Sequence, residues 1–167
     1  MKPTKAVGIQ YAALPWRRAG RRLEVLLITS RETHRWVIPK GWPMKGLAPQ
    51  EAAAVEASEE AGISGQIEAG PVGSYRYLKR MKDGQTIPIQ VIVFPLEVDG
   101  QIEHYKEQGQ RQFSWFRYQK AATLVAEPNL QRLIRDFGKA RSSGPLASSA
   151  AHLGRWFDAA LFRLRFD

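Results

Sequence analysis

Two early stretches, residues 5–14 and 23–30, carry short runs of apolar side chains and read as strands, with Gly20 among arginines as the turn between them. Trp36-Val37-Ile38 forms a third, short apolar run that Pro39 stops. Residues 40–48 are glycine- and proline-bearing and read as a loop. From 49 to 61 the pattern predicts a helix: Pro49 suits the first helical position, Glu51 lies in the first turn, and Gly62 suits the residue just past the end. Residues 65–80 and 86–98 read as two long strands joined through Lys82-Asp83-Gly84, a hairpin signal. Pro88 and Pro95 fall inside the second, which predicts a sheet edge or bulges there. Residues 113–118 predict another strand, and 119–126 and 128–140 two helices, the second opened by Pro128. Strands and helices in this mixed order predict an α+β fold, a mixed sheet with helices packed on it.

Ser142-Ser143-Gly144-Pro145 marks a boundary, giving a domain over 1–141 and a linker with a C-terminal amphipathic helix over 142–167. In that tail Leu153, Trp156, Phe157, Ala160, Leu161 and Leu164 recur at helical spacing. Packing on its own domain or on a second subunit is the favoured reading of the stripe, which leaves a homodimer open. Arg155, Arg163 and Arg165 beside it offer a weaker alternative, an anionic membrane surface.

With 167 residues, 44% apolar and 25% charged, the chain can bury a core without staples. No apolar run is long enough to span a membrane. None of signal-peptide length follows Met1-Lys2-Pro3-Thr4-Lys5, so the expected location is the cytoplasm. Cysteine is absent, which excludes disulfides, zinc–cysteine sites, iron–sulfur clusters and thiol nucleophiles. His34, His104 and His152 are in no metal-ligand spacing, so any metal is a hard cation held by carboxylates. A net charge of +9 favours polyanionic partners: a heavily phosphorylated small molecule, an anionic membrane or nucleic acid. The basic residues are spread rather than run together, which weakens the nucleic-acid reading without removing it.

The informative chemistry lies on the 49–61 helix. Glu56, Glu59 and Glu60 stand at i, i+3 and i+4 and share a face, in the half where the helix dipole disfavours anions. Each effect costs a few tenths of a kcal/mol, roughly, on an exposed helix, so a compensating cation is called for. Magnesium suits three carboxylates with no His or Cys nearby, with manganese as the alternative. Alanines 53, 54, 57 and 61 on the neighbouring arc suit close approach to a sheet. Taken alone, the trio reads better as a solvated acidic face than as a metal site, since such spacing is common by chance.

The flanking residues change that. Gly41, then Glu56, Glu59-Glu60, Gly62 and Ile63, resemble the Nudix box: glycine, five residues, Glu, seven residues, Arg-Glu, an aliphatic, any residue, Glu-Glu, any residue, Gly and an aliphatic. The spacing from Gly41 to Ile63 matches without gaps, and Trp36-Val37-Ile38-Pro39-Lys40-Gly41-Trp42 is similar to the family's strand-and-loop entry. The resemblance covers residues 5–140. Two positions depart: Leu47 stands where the box has its first Glu, and Val55 where it has Arg. The expectation is that these two touch and support the loop and helix as an apolar pair in place of an ion pair.

The resemblance implies an α/β/α sandwich with a central mixed sheet. It also implies hydrolysis of a diphosphate linkage by water attack on phosphorus, assisted by magnesium. It puts Glu56, Glu59 and Glu60 among the metal ligands, joined by the backbone carbonyl near Lys40 and Gly41. Glu107, in a later loop, is the candidate base. Thr29-Ser30-Arg31 is similar to the branch that hydrolyses diphosphoinositol polyphosphates and diadenosine polyphosphates, which implies that Ser30, Arg31, Lys40 and Arg111 face substrate phosphates. Arg35, Lys79 and Arg80 extend a basic rim, while Tyr75, Tyr77 and Trp42 read as packing rather than as base stackers. The alternative class is a catalytically silent Nudix-fold module that binds polyphosphate or RNA. A third option is removal of pyrophosphate from RNA 5′ ends.

Overall fold

The computed structural model describes residues 7–143. Within them the chain runs β1 (Gly8–Ala19), β2 (Arg22–Thr29), β3 (Trp36–Val37), β4 (Lys40–Gly41), α1 (Pro49–Ala61), β5 (Ile63–Ile67), β6 (Gly73–Arg80), β7 (Thr86–Gln101), β8 (Phe113–Arg117), α2 (Tyr118–Leu124) and α3 (Pro128–Ser142). The C-terminal stripe from Leu153 to Leu164 lies outside the described residues. The strands form one mixed sheet: β1 runs parallel to β7, and every other pairing is antiparallel. Helix α1 covers one face and α2 with α3 the other, so the α+β sandwich with a central mixed sheet is the observed architecture.

Alternation along the strands explains why both faces are packed. Ala12, Leu14 and Trp16 of β1, Val25 and Leu27 of β2, and Val91 and Val93 of β7 face Leu130, Ile134 and Phe137 of α3. The intervening residues, Ala13, Leu26, Ile28, Phe94 and Leu96, face Ala53, Ala57 and Ala61 of α1. Ala53, Ala57 and Ala61, buried on the inner face of α1, let its backbone approach the sheet closely as their spacing predicts, whereas Ala54 is only half-buried and outside that cluster.

Several boundaries differ from the sequence pattern, each for a physical reason. Strand β1 extends to Ala19, and its hairpin with β2 turns through Gly20 at φ 63°. Below that hairpin β1 and β2 diverge, and residues 36–41 fill the gap: β3 pairs with Ile28 and Thr29, while β4 pairs with Tyr11 and Ala12. Lys40 and Gly41 are therefore strand residues rather than loop. Pro15 lies between the ladder to β4 and the ladder to β2, which explains a proline in a central strand.

The stretch read as one strand over 65–80 is split. β5 and β6 lie end to end along the same side of β7, and residues 68–72, with Gly70 and Pro71, bulge out opposite Phe94 and Pro95. Strand β7 is central, not an edge, yet the bulge reading of Pro95 holds. Its carbonyl accepts from Glu68 N–H at 2.9 Å, so its missing N–H faces the excursion, where no acceptor is left waiting. Pro88 pairs only with Leu78 of β6, one residue outside the ladder to β1.

A second irregularity falls between Ser64 and Gly65, where the register with β7 shifts. A Cβ on Gly65 would meet the Glu97 carbonyl oxygen at 1.9 Å. Because that neighbour is backbone, Gly65→Ala is expected to cost about 2 kcal/mol or more, in the range for overpacking, read as a lower urea midpoint at unchanged slope.

Candidate active site

Helix α1 places the glutamates. At its start the Glu51 carboxylate accepts the Ala48 N–H at 2.8 Å, and Pro49 follows where no N–H is needed. At its end Gly62 turns left-handed at φ 65° and its N–H returns to the Ser58 carbonyl at 3.0 Å. With the alanines on the sheet, Glu56, Glu59 and Glu60 are directed to the rim, all half-buried. Gly41 of β4 lies beneath Glu56: a Cβ there would sit 1.8 Å from Glu56 Oε1. The first glycine of the motif thus makes room for the first of its retained glutamates.

The end of the helix also recruits Glu107. The Glu107 N–H donates to the Glu59 carbonyl at 3.0 Å, Ile102 N–H to the Gly62 carbonyl at 2.6 Å, and the Gln101 amide to the same carbonyl at 2.7 Å. These are carbonyls that a helix end leaves unpaired, and residues 101–107 satisfy them. Tyr105 lies over Gly62, whose Cβ would be 2.3 Å from the ring. The loop then returns through Arg111. Its Nε donates to Glu107 Oε2 at 2.7 Å, one terminal nitrogen to Glu60 Oε1 at 3.0 Å, and the other to the Thr29 carbonyl at 3.2 Å. Glu60 Oε2 accepts the Lys40 backbone N–H at 3.3 Å, Lys106 pairs with Glu59 at 3.1 Å, and Arg31 reaches Glu107 at 3.5 Å.

Among these carboxylates Glu56 is the one with no hydrogen bond or ion pair to any described residue. Burial, together with the charges of Glu60, Glu59 and Glu107, pushes its carboxyl up to about 7. Burial also raises Glu60, against the opposing pull of Arg111 and Lys40. Half-buried carboxylates with one oxygen pair uncompensated fit a hard divalent cation by their donor chemistry. Among the described residues, however, no three acidic or histidine side chains are close enough to hold one ion as they stand; Arg111 lies between Glu60 and Glu107, and Lys106 pairs with Glu59.

The raised Glu56 has a consequence for stability. Between its ordinary 4.5 and about 7 the folded chain holds a proton that the unfolded chain has released. Stability from this group is full below pH 4.5 and lost as pH rises through 7. In chelator, Tm is expected to fall between pH 5 and 7.5, and Glu56→Gln should remove part of that slope; a wild-type slope in the variant would refute the assignment.

The other predicted positions are distributed as follows. Ser30 opens a tight turn in which its hydroxyl lies 2.6 Å from that of Thr33, and His34 takes φ 53°. Arg31 is more than half exposed beside that turn. The Lys40 side chain lies over the Tyr77 ring, 5.3 Å from Nζ to centroid, where burial lowers its pKa. Arg111, expected to face phosphates, lines the neighbouring cavity, and its side chain, largely buried, is held by Glu60 and Glu107. Arg35 pairs with Glu127 at 3.1 Å. Leu47 and Val55 are both half-buried. A cavity of about 540 Å³ opens beside Arg111, lined also by Thr29, His34, Trp36, Gly109, Gln110 and Gln112. His34, Trp36 and Gln112 carry no local sequence signal for such a role; only the pairing of β2 with both β3 and β8 brings them together.

The family model described as NUDIX domain matches residues 9–137. Nudix hydrolase 12, mitochondrial, of Arabidopsis thaliana is 29% identical over 119 residues, covering 70% of this chain and 59% of the relative. Nudix hydrolase 21, chloroplastic, of the same plant is 30% identical over 123 residues, covering 71% and 58%. The chain thus spans about three fifths of the length of the curated relatives it matches. Among solved structures, a C. elegans Ap4A hydrolase superposes with a TM-score of 0.59 at 21% identity, over 81% of this chain and 99% of the other. A NUDIX hydrolase from Nitrosomonas europaea gives 0.61 at 19%, over 84% and 94%.

Proposed function

The chain belongs to the Nudix family, and on that premise we propose that it hydrolyses a diphosphate linkage in a phosphate-rich substrate with the help of a divalent cation, magnesium or manganese. The observation that carries the reading is Glu56, unpaired among three other carboxylates and seated on a glycine that leaves it room. Glu56, Glu59 and Glu60, with the backbone carbonyl near Lys40 and Gly41, would hold the cation. When bound, it neutralises diphosphate oxygens and activates water, worth several kcal/mol of charge stabilisation, roughly. Glu107 accepts the proton of the attacking water; its hydrogen bonds to the helix end and to Arg111 fix where its carboxylate stands. Leu47 and Val55, each half-buried, would touch and support the loop as an apolar pair in place of the absent ion pair.

The substrate class proposed is a dinucleoside polyphosphate or a diphosphoinositol polyphosphate. Support comes from the net charge of +9, from the exposed Arg31 beside the cavity, and from the likeness to a C. elegans Ap4A hydrolase. Arg31 makes two long contacts, to the Glu107 carboxylate and the Gln110 amide oxygen, each at 3.5 Å, so a phosphate can take it at little cost. The test is a panel of a diadenosine polyphosphate, a diphosphoinositol polyphosphate and a nucleotide sugar, each with magnesium or manganese, with products identified by mass. Cation-dependent cleavage of a phosphoanhydride is expected. Arg31→Ala should lower kcat/KM for the two phosphate-rich substrates about tenfold or more, the scale of a charge-assisted contact, and barely touch the nucleotide sugar. A folded protein that binds these compounds without cutting any would assign the silent binding module instead.

A further inference from the structure

Arg111 occupies an unexpected place for a phosphate ligand. All of its guanidinium nitrogens are engaged within the protein, on Glu107, Glu60 and the Thr29 carbonyl, and its side chain is only 9% exposed. We infer that Arg111 is a positioning residue that stands in for the divalent cation: it supplies the positive charge between Glu60 and Glu107, and the cation gains Glu60 in full only as Arg111 lets go of it. This rests on the hydrolase reading of the same site.

The arithmetic of charge supports the inference. Four carboxylates gather here, Glu56, Glu59, Glu60 and Glu107; three cationic side chains pair with them, Lys106, Arg111 and Arg31, while Lys40 pulls on Glu60 without forming an ion pair. Lys106 is two-thirds exposed and Arg31 more than half, so water already screens both. Arg111 is the buried one, and its pairs are the strong ones. Both oxygens of Glu60 are already taken, one by Arg111 and the other by the Lys40 N–H. A divalent ion arriving at Glu56 and Glu59 therefore competes with a guanidinium for its third carboxylate.

The released guanidinium has a destination. Arg111 lines the cavity beside the site, so the arm that leaves Glu60 turns toward any phosphate held there. Cation and anion then help one another: phosphate draws Arg111 away and frees Glu60 for the cation, and the cation frees Arg111 for phosphate. Linkage of this kind is reciprocal and equal in both directions.

Calorimetric titration of the full chain with manganese, with and without methylene diphosphonate as a diphosphate that cannot be cut, tests this. Without the diphosphonate, Arg111→Gln is expected to bind manganese at least tenfold more tightly than wild type. The diphosphonate should tighten manganese binding to wild type by a clearly larger factor than to the variant, which keeps only the direct contact between metal and diphosphonate. If Arg111→Gln fails to fold, Arg111→Lys is measured instead; one ammonium cannot bridge both carboxylates, and manganese affinity should still rise. Equal or weaker manganese binding by a folded variant would overturn the inference and leave Arg111 as a structural tie. Absence of manganese binding by wild type under both conditions would overturn the hydrolase reading beneath it.

Discussion

Glu60→Gln is expected to lower kcat for phosphoanhydride cleavage by about a thousandfold or more, the scale of losing charge stabilisation at the reacting phosphate. The amide keeps the shape of the side chain and loses the charge. Its oxygen can still accept from the Lys40 N–H or from Arg111, but neither bond is any longer to a carboxylate. Because little of either side chain in the pair with Arg111 is exposed, stability falls too, by about 1.5–3 kcal/mol for a hydrogen bond to a charged group. Arg111 retains Glu107 and the Thr29 carbonyl, so the loop stays on the helix. Circular dichroism with single-turnover kinetics separates the effects: a folded protein with wild-type turnover would remove Glu60 from the cation site.

Gly41→Ala should produce the opposite combination, a large loss of activity with little loss of stability. The backbone of Gly41 is ordinary strand, outside the left-handed region, so an alanine is not strained there. The methyl group collides with the Glu56 carboxylate, the mobile end of a long side chain, at 1.8 Å. Glu56 swings out rather than the sheet giving way. Turnover should drop by about a hundredfold, as happens when a reacting geometry is displaced by an ångström or so, while Tm stays within a few degrees. A double-mutant cycle makes the mechanism visible. On a Glu56→Ala background Gly41→Ala should cost nothing further; additive losses would mean that glycine serves the backbone and not the carboxylate.

Legibility from sequence followed the range of the interactions. Helix α1 matched its predicted bounds because its signals are local: Pro49, Glu51, the alanine arc and Gly62. The interrupted pairing of β5 and β6 with β7 was not legible, since Gly70 and Pro71 mark a turn without saying that the chain resumes on the same neighbour. Strand β4 is two residues long and exists only because β1 and β2 splay apart, which no period in residues 36–48 encodes. At the site the three helix glutamates and Glu107 do come to one rim. What the sequence could not convey is that Arg111 spends its donors on those carboxylates; a basic residue near acids and a basic residue near phosphates look alike until burial is known.

The parallel ladder between β1 and β7 joins Gly8 to Ile89 and Trp16 to Glu97, partners 81 residues apart. A ribosome must therefore deliver α1 with its glutamates long before the strand that closes one flank of β1 exists. Until then the nascent hairpin of β1 and β2 exposes, along β1, a hydrogen-bonding edge bearing Ile9, Tyr11, Leu14 and Trp16, the kind of edge that pairs with other chains. High sequence separation slows the closing step. Closure of the sheet thus waits for the arrival of β7, and a synthesis pause or truncation shortly before residue 89 would leave α1 on an incomplete, aggregation-prone sheet.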